Sequence, residues 1–253
     1  MTARAQGTAT ATRRAMGQFF TPDPVVDFVL DGLVALGLDA APTRVVDPAC
    51  GEGAFLRAAA SRFPEAELWG CDLDAGLDAA WQHDDLPSAR THLLVQDGLV
   101  DAPLYGLGAG TFDLVVGNPP YGFGVPRPGG AERIEEVFMR RFVALARVGG
   151  WLGVVLPEGI AANARGQGLR DWLLDNVTLK AVVALPDATF AATGTRASTV
   201  VVLAHKGIER GGHVLLASPA ADAGGGAGLH DYLSDVLDAL RGKRDVSAGR
   251  IRR

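Results

Sequence analysis

Apolar residues along the chain fall into two alternating patterns. Runs of strand length occur at 44–47 (RVVD), 67–72 (ELWGCD), 91–96 (THLLVQ), 112–117 (FDLVVG), 150–156 (GWLGVVL), 178–185 (TLKAVVAL) and 198–204 (STVVVLA). Several are continuously apolar, the pattern of strands covered on both faces. Between them, 22–37, 53–62, 74–82, 131–147 and 165–175 carry apolar residues at helical spacing. Repeated strand-helix units predict an α/β fold, a doubly wound and mostly parallel sheet of seven strands. The sixth and seventh runs are joined by PDATFAATGTRA, which has no helical pattern. A crossover to a parallel neighbour needs a helix, so one antiparallel strand is expected here. After 206, Gly and Ala clusters separate a short strand at 213–217 from a helix at 229–241 and a basic end.

Composition narrows this picture. A chain of 253 residues with 48% hydrophobic and 21% charged residues buries roughly 70–75% of its unfolded surface. Three segments are expected: a flexible 1–16, a main domain at 17–206, and a strand-helix extension with a basic tail at 207–253. Residues 1–16 have Arg and Thr but no acidic residue, a composition shared with transit peptides, yet they run directly into patterned sequence. The formal charge of −5 excludes a strongly basic protein. Any nucleic-acid partner must therefore be met by local patches or by another subunit. Cys50 and Cys71 lack metal or disulfide spacing and suit a reducing cytoplasm. No metal site and no membrane span is expected, since no apolar run approaches about 18 residues.

Open parallel sheets bind ligands beyond the carboxyl ends of their strands. The first run ends in Asp47 and continues Pro48-Ala49-Cys50-Gly51-Glu52-Gly53, a Gly-containing turn into a helix. The turn lacks G-x-G-x-x-G and the Gly-Lys-Ser/Thr of a phosphate loop. Asp47 and Glu52 would repel pyrophosphate, so a zwitterionic or cationic ligand fits better. Asp47, Asp72 and Asp97 recur at intervals of 25 residues, each at or just past a strand end. Singly, each reads as a turn former or helix cap; together, they line one crevice. Asp72 sits where acidic residues hold a ribose diol, and Asp97-Gly98 could receive the amino group of an adenine. S-adenosylmethionine, with an amino acid end, a ribose and an adenine, satisfies every group.

The fourth run ends VVGNPPYG (115–122). Asn118 and Pro119 each precede a proline and are held extended. Pro119 and Pro120 offer carbonyls but no N–H. The strand exit is therefore stiff, presenting the Asn118 side-chain oxygen and the Pro119 carbonyl as acceptors. Such a pair suits an exocyclic –NH2, whose hydrogens it can hold while the nitrogen lone pair is aimed at an electrophile. Tyr121 offers a face for a planar base.

These residues carry a resemblance. In order, GQFFTPDPVVDFV (17–29), VVDPACGEGAFL (45–56), GCDLD (70–74), VQDGL (95–99), FDLVVGNPPYG (112–122), VGGWLGVVLPEG (148–159) and FAATGTRASTVVVLAHK (190–206) are similar to the gamma-type DNA adenine N6-methyltransferases, in particular the modification subunit of type I restriction-modification systems. The resemblance implies the class I S-adenosylmethionine-dependent, Rossmann-like fold. By the same likeness Phe20, Thr21 and Pro22 cover the methionine end of the cofactor. Asp47, Pro48, Ala49, Gly51 and Gly53 form its turn, Asp72 and Leu73 hold the ribose, and Asp97 and Gly98 the adenine. Asn118, Pro119, Pro120 and Tyr121 form the catalytic segment, with Asn118 also beside the cofactor. Tyr121 and Phe190 meet a flipped adenine, though Phe190 could instead pack beneath the sheet. Thr195 and Thr199 read as structural.

The implied reaction is direct methyl transfer to adenine N6 in double-stranded DNA, within a restriction-modification or related defence system in a prokaryotic cytoplasm. The resembling subunits carry a helical domain ahead of the first element, where about 16 residues stand here. No segment has the length of a target-recognition domain. Loop 122–130 contains one charge, Arg127, and the end 241–253 holds six basic residues against one Asp. A separate specificity subunit is therefore expected to supply sequence recognition. The alternatives are a methyltransferase acting on a protein glutamine or an RNA guanine, and a catalytically silent cofactor-binding scaffold.

Overall fold

The computed structural model describes residues 20–39, 41–77, 81, 86–101, 108–122, 124–127, 130–191, 197–209, 213–219, 226–243 and 251–252. In chain order the elements are α1 (Asp23–Ala35), β1 (Arg44–Asp47), α2 (Ala54–Arg62), β2 (Glu67–Asp72), β3 (Thr91–Val95), β4 (Phe112–Gly117), β5 (Gly124–Arg127), β6 (Gly130–Arg133), α3 (Ile134–Leu145), β7 (Ala146–Pro157), α4 (Glu158–Ala162), α5 (Gln167–Asn176), β8 (Val177–Ala184), β9 (Thr199–Lys206), β10 (Leu215–Ala217), α6 (Gly226–Leu240) and β11 (Ile251–Arg252). The main sheet has the order β11-β10-β8-β9-β7-β4-β1-β2-β3, and β5 pairs only with β6. From β1 the chain steps outward through β2 to β3, then returns to β4 on the other side of β1. That reversal opens a crevice between the carboxyl ends of β1 and β4.

Helices cover both faces, so the central strands are buried on both sides, as their unbroken apolar runs require. One core packs α1, α2 and α6 against the sheet; the other packs α3 and α5 against the opposite face. Helix α1 shows how the sequence fixes this. It begins after an extended Pro22, with Pro24 in the first turn where a missing N–H costs nothing. Val25, Val26, Val29, Leu30 and Leu33 then recur at three- and four-residue spacing, and all are buried. In α6, Leu233, Val236 and Ala239 join the same core, so this helix and β10 extend the fold of the preceding residues.

The amino ends of the strands are tied together by Asp113. It accepts from the Thr43 N–H (2.8 Å), the Thr43 hydroxyl (2.6 Å), the Arg44 N–H (3.0 Å) and Arg147 Nε (2.5 Å). Burial alone would push its carboxyl up, but the hydrogen bonds from Thr43, Arg147 and Arg44 hold it down to about 2.

Three expectations change. The seven strands are present, and β9 is antiparallel to both β7 and β8, but β10 and the two-residue β11 extend the sheet at its β8 edge. Segment 122–130, read as a loop from its Gly and Pro content, contains β5 and the first residue of β6. Pro126 is tolerated because a two-stranded ribbon needs only alternate N–H groups for pairing. Helix 74–82 is represented by a 3-10 turn at Ala75–Leu77 and a helical Trp81, with 78–80 and 82 outside the described residues. Residues 1–16, Thr195 and 244–250 also lie outside them, whereas Thr199 is buried on β9. No helix among the described residues is long and apolar enough to cross a membrane.

Candidate active site

A cavity of about 670 Å³ opens at the crevice between β1 and β4. Its wall brings together Phe20, Thr21, Asp47, Pro48, Ala49, Gly51, Asp72, Leu73, Asp97, Gly98, Asn118 and Pro120. Pro22, Gly53, Pro119, Tyr121 and Phe190 do not form part of the wall. Phe190 is 2% exposed and packs in the core beneath the sheet.

The turn after β1 is built by backbone bonds to β2. Gly51 and Gly53 take positive φ (52° and 90°), conformations costly for any residue with a Cβ. The Cys50 N–H donates to the Cys71 carbonyl (3.0 Å) and the Gly51 N–H to Asp72 Oδ2 (3.0 Å). Gly51 therefore spends its donor on Asp72, not on a ligand anion. Trp81 Nε1 donates to the Gly51 carbonyl (2.9 Å) and closes the turn from outside. No pattern in the sequence marked Trp81 for this, because its partner is a backbone atom 30 residues away.

The cavity is acidic. Asp23, Asp47, Glu52, Asp72 and Asp97 face it against Arg57, which donates to the Glu52 carbonyl (2.5 Å). Asp47 is 1% exposed. Burial pushes its carboxyl up to about 8, against the hydrogen bond from the Ala49 N–H and with help from the Asp72 charge. Burial also raises Asp72, opposed by N–H donors from Asp74 and Gly51. The same cause pushes the Cys71 thiol up to about 12 and Cys50 well above its ordinary value, so neither is a nucleophile. Such a site favours a cation. The far wall is apolar, formed by Leu99, Pro120, Val125, Ile134 and Phe138. Ile134 and Phe138 lie on α3 at a spacing that reads as ordinary core, and Val125 lies on the unanticipated ribbon.

Asn118 leaves β4 at the cavity wall with its amide fixed on both sides. Nδ2 donates to Thr21 Oγ1 (3.1 Å), and Oδ1 accepts from the Tyr121 hydroxyl. The same hydroxyl lies 3.0 Å from the Val155 carbonyl. A phenol has one proton, so it serves one of these acceptors at a time. Burial and the nearby Glu135 carboxylate push the phenol well above its ordinary value, keeping it neutral and a donor. The sequence offered Tyr121 as a stacking surface; the structure adds a grip on Asn118. It also adds Glu135, wholly buried in the first turn of α3. Glu135 pairs with Arg133 and accepts from the Gly122 N–H (3.2 Å), anchoring the residue just after the Asn118–Tyr121 segment.

Among the described residues no group of His, Cys, Asp and Glu is placed to hold a metal ion. The acidic and apolar lining suits a cationic ligand, and an oriented amide stands on the same wall. The chain has the fold of the class I S-adenosylmethionine-dependent methyltransferases. That fold is shared with the type I restriction-modification system methyltransferase subunit from Streptococcus thermophilus, at TM-score 0.74 and 20% identity, over 91% of this chain and 54% of that one.

Within that fold, parts of the chain are similar to DNA methylases of restriction-modification systems. Residues 67–190 match the Eco57I restriction-modification methylase family and residues 5–74 the N-6 DNA Methylase family. It is 33% identical over 115 residues to the type II methyltransferase M.XamI of Xanthomonas campestris pv. amaranthicola, covering 42% of this chain and 19% of that protein. It is 25% identical over 198 residues to the type II methyltransferase M.CvrRI of Paramecium bursaria Chlorella virus XZ-6E, covering 74% of this chain and 48% of that protein. The chain thus spans less than half the length of either relative.

Proposed function

We propose that this chain is the catalytic part of a DNA methyltransferase that transfers the methyl group of S-adenosylmethionine to N6 of an adenine flipped out of the duplex. The observation that carries this reading is the Asn118 amide, fixed by Thr21 and Tyr121 on the wall of the acidic cavity that holds Asp47, Asp72 and Asp97. The cofactor supplies a methyl group made electrophilic by its sulfonium. Asp47 and Phe20 meet its methionine end, Asp72 and Leu73 its ribose, and Asp97 its adenine amino group against the apolar wall of Ile134 and Phe138. Asn118 Oδ1, through its second lone pair, and the Pro119 carbonyl hold the hydrogens of the target –NH2. With the cofactor bound, its methyl C–S bond would break as the new N–C bond forms, leaving a neutral thioether, and the extra proton on the methylated nitrogen would pass to water. Extruding the base costs a few kcal/mol, offset by stacking on Tyr121. A specificity subunit or further domain supplies sequence recognition, a division of labour in keeping with a chain of formal charge −5.

The decisive experiment is methylation-detecting sequencing of DNA from cells expressing the protein with and without its neighbouring genes. The expected result is N6-methyladenine at one defined motif, lost with Asn118→Ala. Transfer of labelled methyl groups to protein or RNA, with DNA unmarked, sinks the assignment.

Asp47 gives the reading a pH signature. Burial raises its carboxyl in the folded protein and so favours the protonated form. Its contribution to stability is therefore complete below the ordinary carboxylate range near 3.8 and is lost as pH rises toward about 8. A ligand ammonium favours the ionised form, so binding releases a proton. Calorimetry of S-adenosylhomocysteine in buffers of different ionisation enthalpy is expected to register about one proton released near pH 7. Asp47→Asn should abolish that release; an unchanged release in the variant removes Asp47 from the ligand's amino end.

A further inference from the structure

Helix α3 carries a buried guanidinium that plays no part in the chemistry above. Arg141 is 8% exposed, a costly placement for a permanent charge unless it is richly hydrogen-bonded. Its Nε donates to the Gly98 carbonyl (2.9 Å) and its Nη2 to the Val100 carbonyl (2.9 Å), while Nη1 lies 3.4 Å from Asp101 Oδ1. All three contacts are on the turn that begins at Asp97. Within that turn Asp97 Oδ1 accepts from the Leu99 N–H (2.9 Å) and the Asp97 carbonyl from the Val100 N–H (3.1 Å). The carboxylate is therefore fixed to its turn, and the turn is fixed to the helix by Arg141.

The same helix face builds the apolar wall. Ile134 and Phe138 line the cavity, and Arg141 lies one turn further along. A planar ring resting on Phe138 has its edge distance to Asp97 set by one rigid element. We infer that Arg141 is a positioning residue that gives the cofactor pocket its selectivity for a ring with an amino edge over the same ring with a carbonyl edge. A carboxylate accepts from –NH2 but leaves a carbonyl oxygen facing it unpaired, and buried unpaired groups are what reject an analogue. The fork geometry of arginine suits this task because it spans two carbonyls at once; lysine offers one point contact. This inference rests on the cofactor reading above.

The test compares binding of S-adenosylhomocysteine with its deaminated counterpart, S-inosylhomocysteine, by calorimetry. The wild type is expected to prefer the adenine ligand by about 100-fold or more. In Arg141→Met the preference falls to within roughly tenfold, because the turn is released while its packing volume is kept. Arg141→Lys, which retains the charge and a single carbonyl contact, is expected to be intermediate and serves where the Met variant does not fold. Asp72→Ala weakens both ligands alike, since ribose contacts do not sense the ring edge. A wild-type ratio retained in folded Met and Lys variants overturns the positioning role. Failure of the wild type to bind either ligand overturns the cofactor reading itself.

Discussion

Asn118→Ala is expected to lower methyl transfer by roughly 100- to 1,000-fold while cofactor affinity changes little. The magnitude is that of deleting one preorganised polar group aimed at a reacting atom. The amide is held by Thr21 on its nitrogen and Tyr121 on its oxygen, so it needs no reordering at the moment of reaction. Single-turnover transfer and a separate titration with S-adenosylhomocysteine measure the two quantities. Asp72→Ala should behave in the opposite sense, weakening the cofactor first, because its carboxylate braces the Gly51 turn at the cofactor side of the cavity. Full turnover in Asn118→Ala would remove the amide from the mechanism, and equal loss of affinity in both variants would collapse the division of labour between them.

The second large effect comes from a residue with no side chain. At Gly98 an added Cβ would lie 1.8 Å from the Pro48 carbonyl oxygen and 2.8 Å from its carbon. Both obstacles are backbone, so no rotamer change relieves the overlap. Gly98→Ala must push apart the turns after β1 and β3. A cost of about 3 kcal/mol is expected, at the upper end for overpacking, which lowers the melting temperature by roughly 10 °C in a protein of this size. The loss should be larger for cofactor binding than for secondary structure, since the displaced turn carries Asp97. A melting curve with and without S-adenosylhomocysteine separates the two. A variant that melts like the wild type would mean that the turns separate freely.

The central strands were legible because burial on both faces writes an unbroken apolar run; β1, β2 and β4 begin and end where their runs do. The three aspartates were legible because strand ends in a parallel sheet point at one crevice. Tyr121 was only half legible. Its place in the segment followed from sequence order, but a grip on Asn118 and Val155 depends on a rotamer. Glu135 and Arg141 were read as part of an amphipathic helix, where a charge normally faces water. Their burial follows from partners at Gly122 and Gly98, and contacts to backbone leave no trace in residue type. The ribbon was hidden because Gly and Pro content signals a turn just as well as a short two-stranded hairpin.

The Asn118 amide, the ribbon and the Ile134 and Phe138 side of the apolar wall lie in one stretch of sequence from Asn118 to Phe138. Its two roots are joined where the Gly122 N–H meets the buried Glu135 carboxylate. This tie makes the excursion leave and rejoin the site at a single point. Because Val125 on the ribbon also lines the cavity, a substitution there is expected to be felt at the apolar wall while the Gly122–Glu135 tie stays in place.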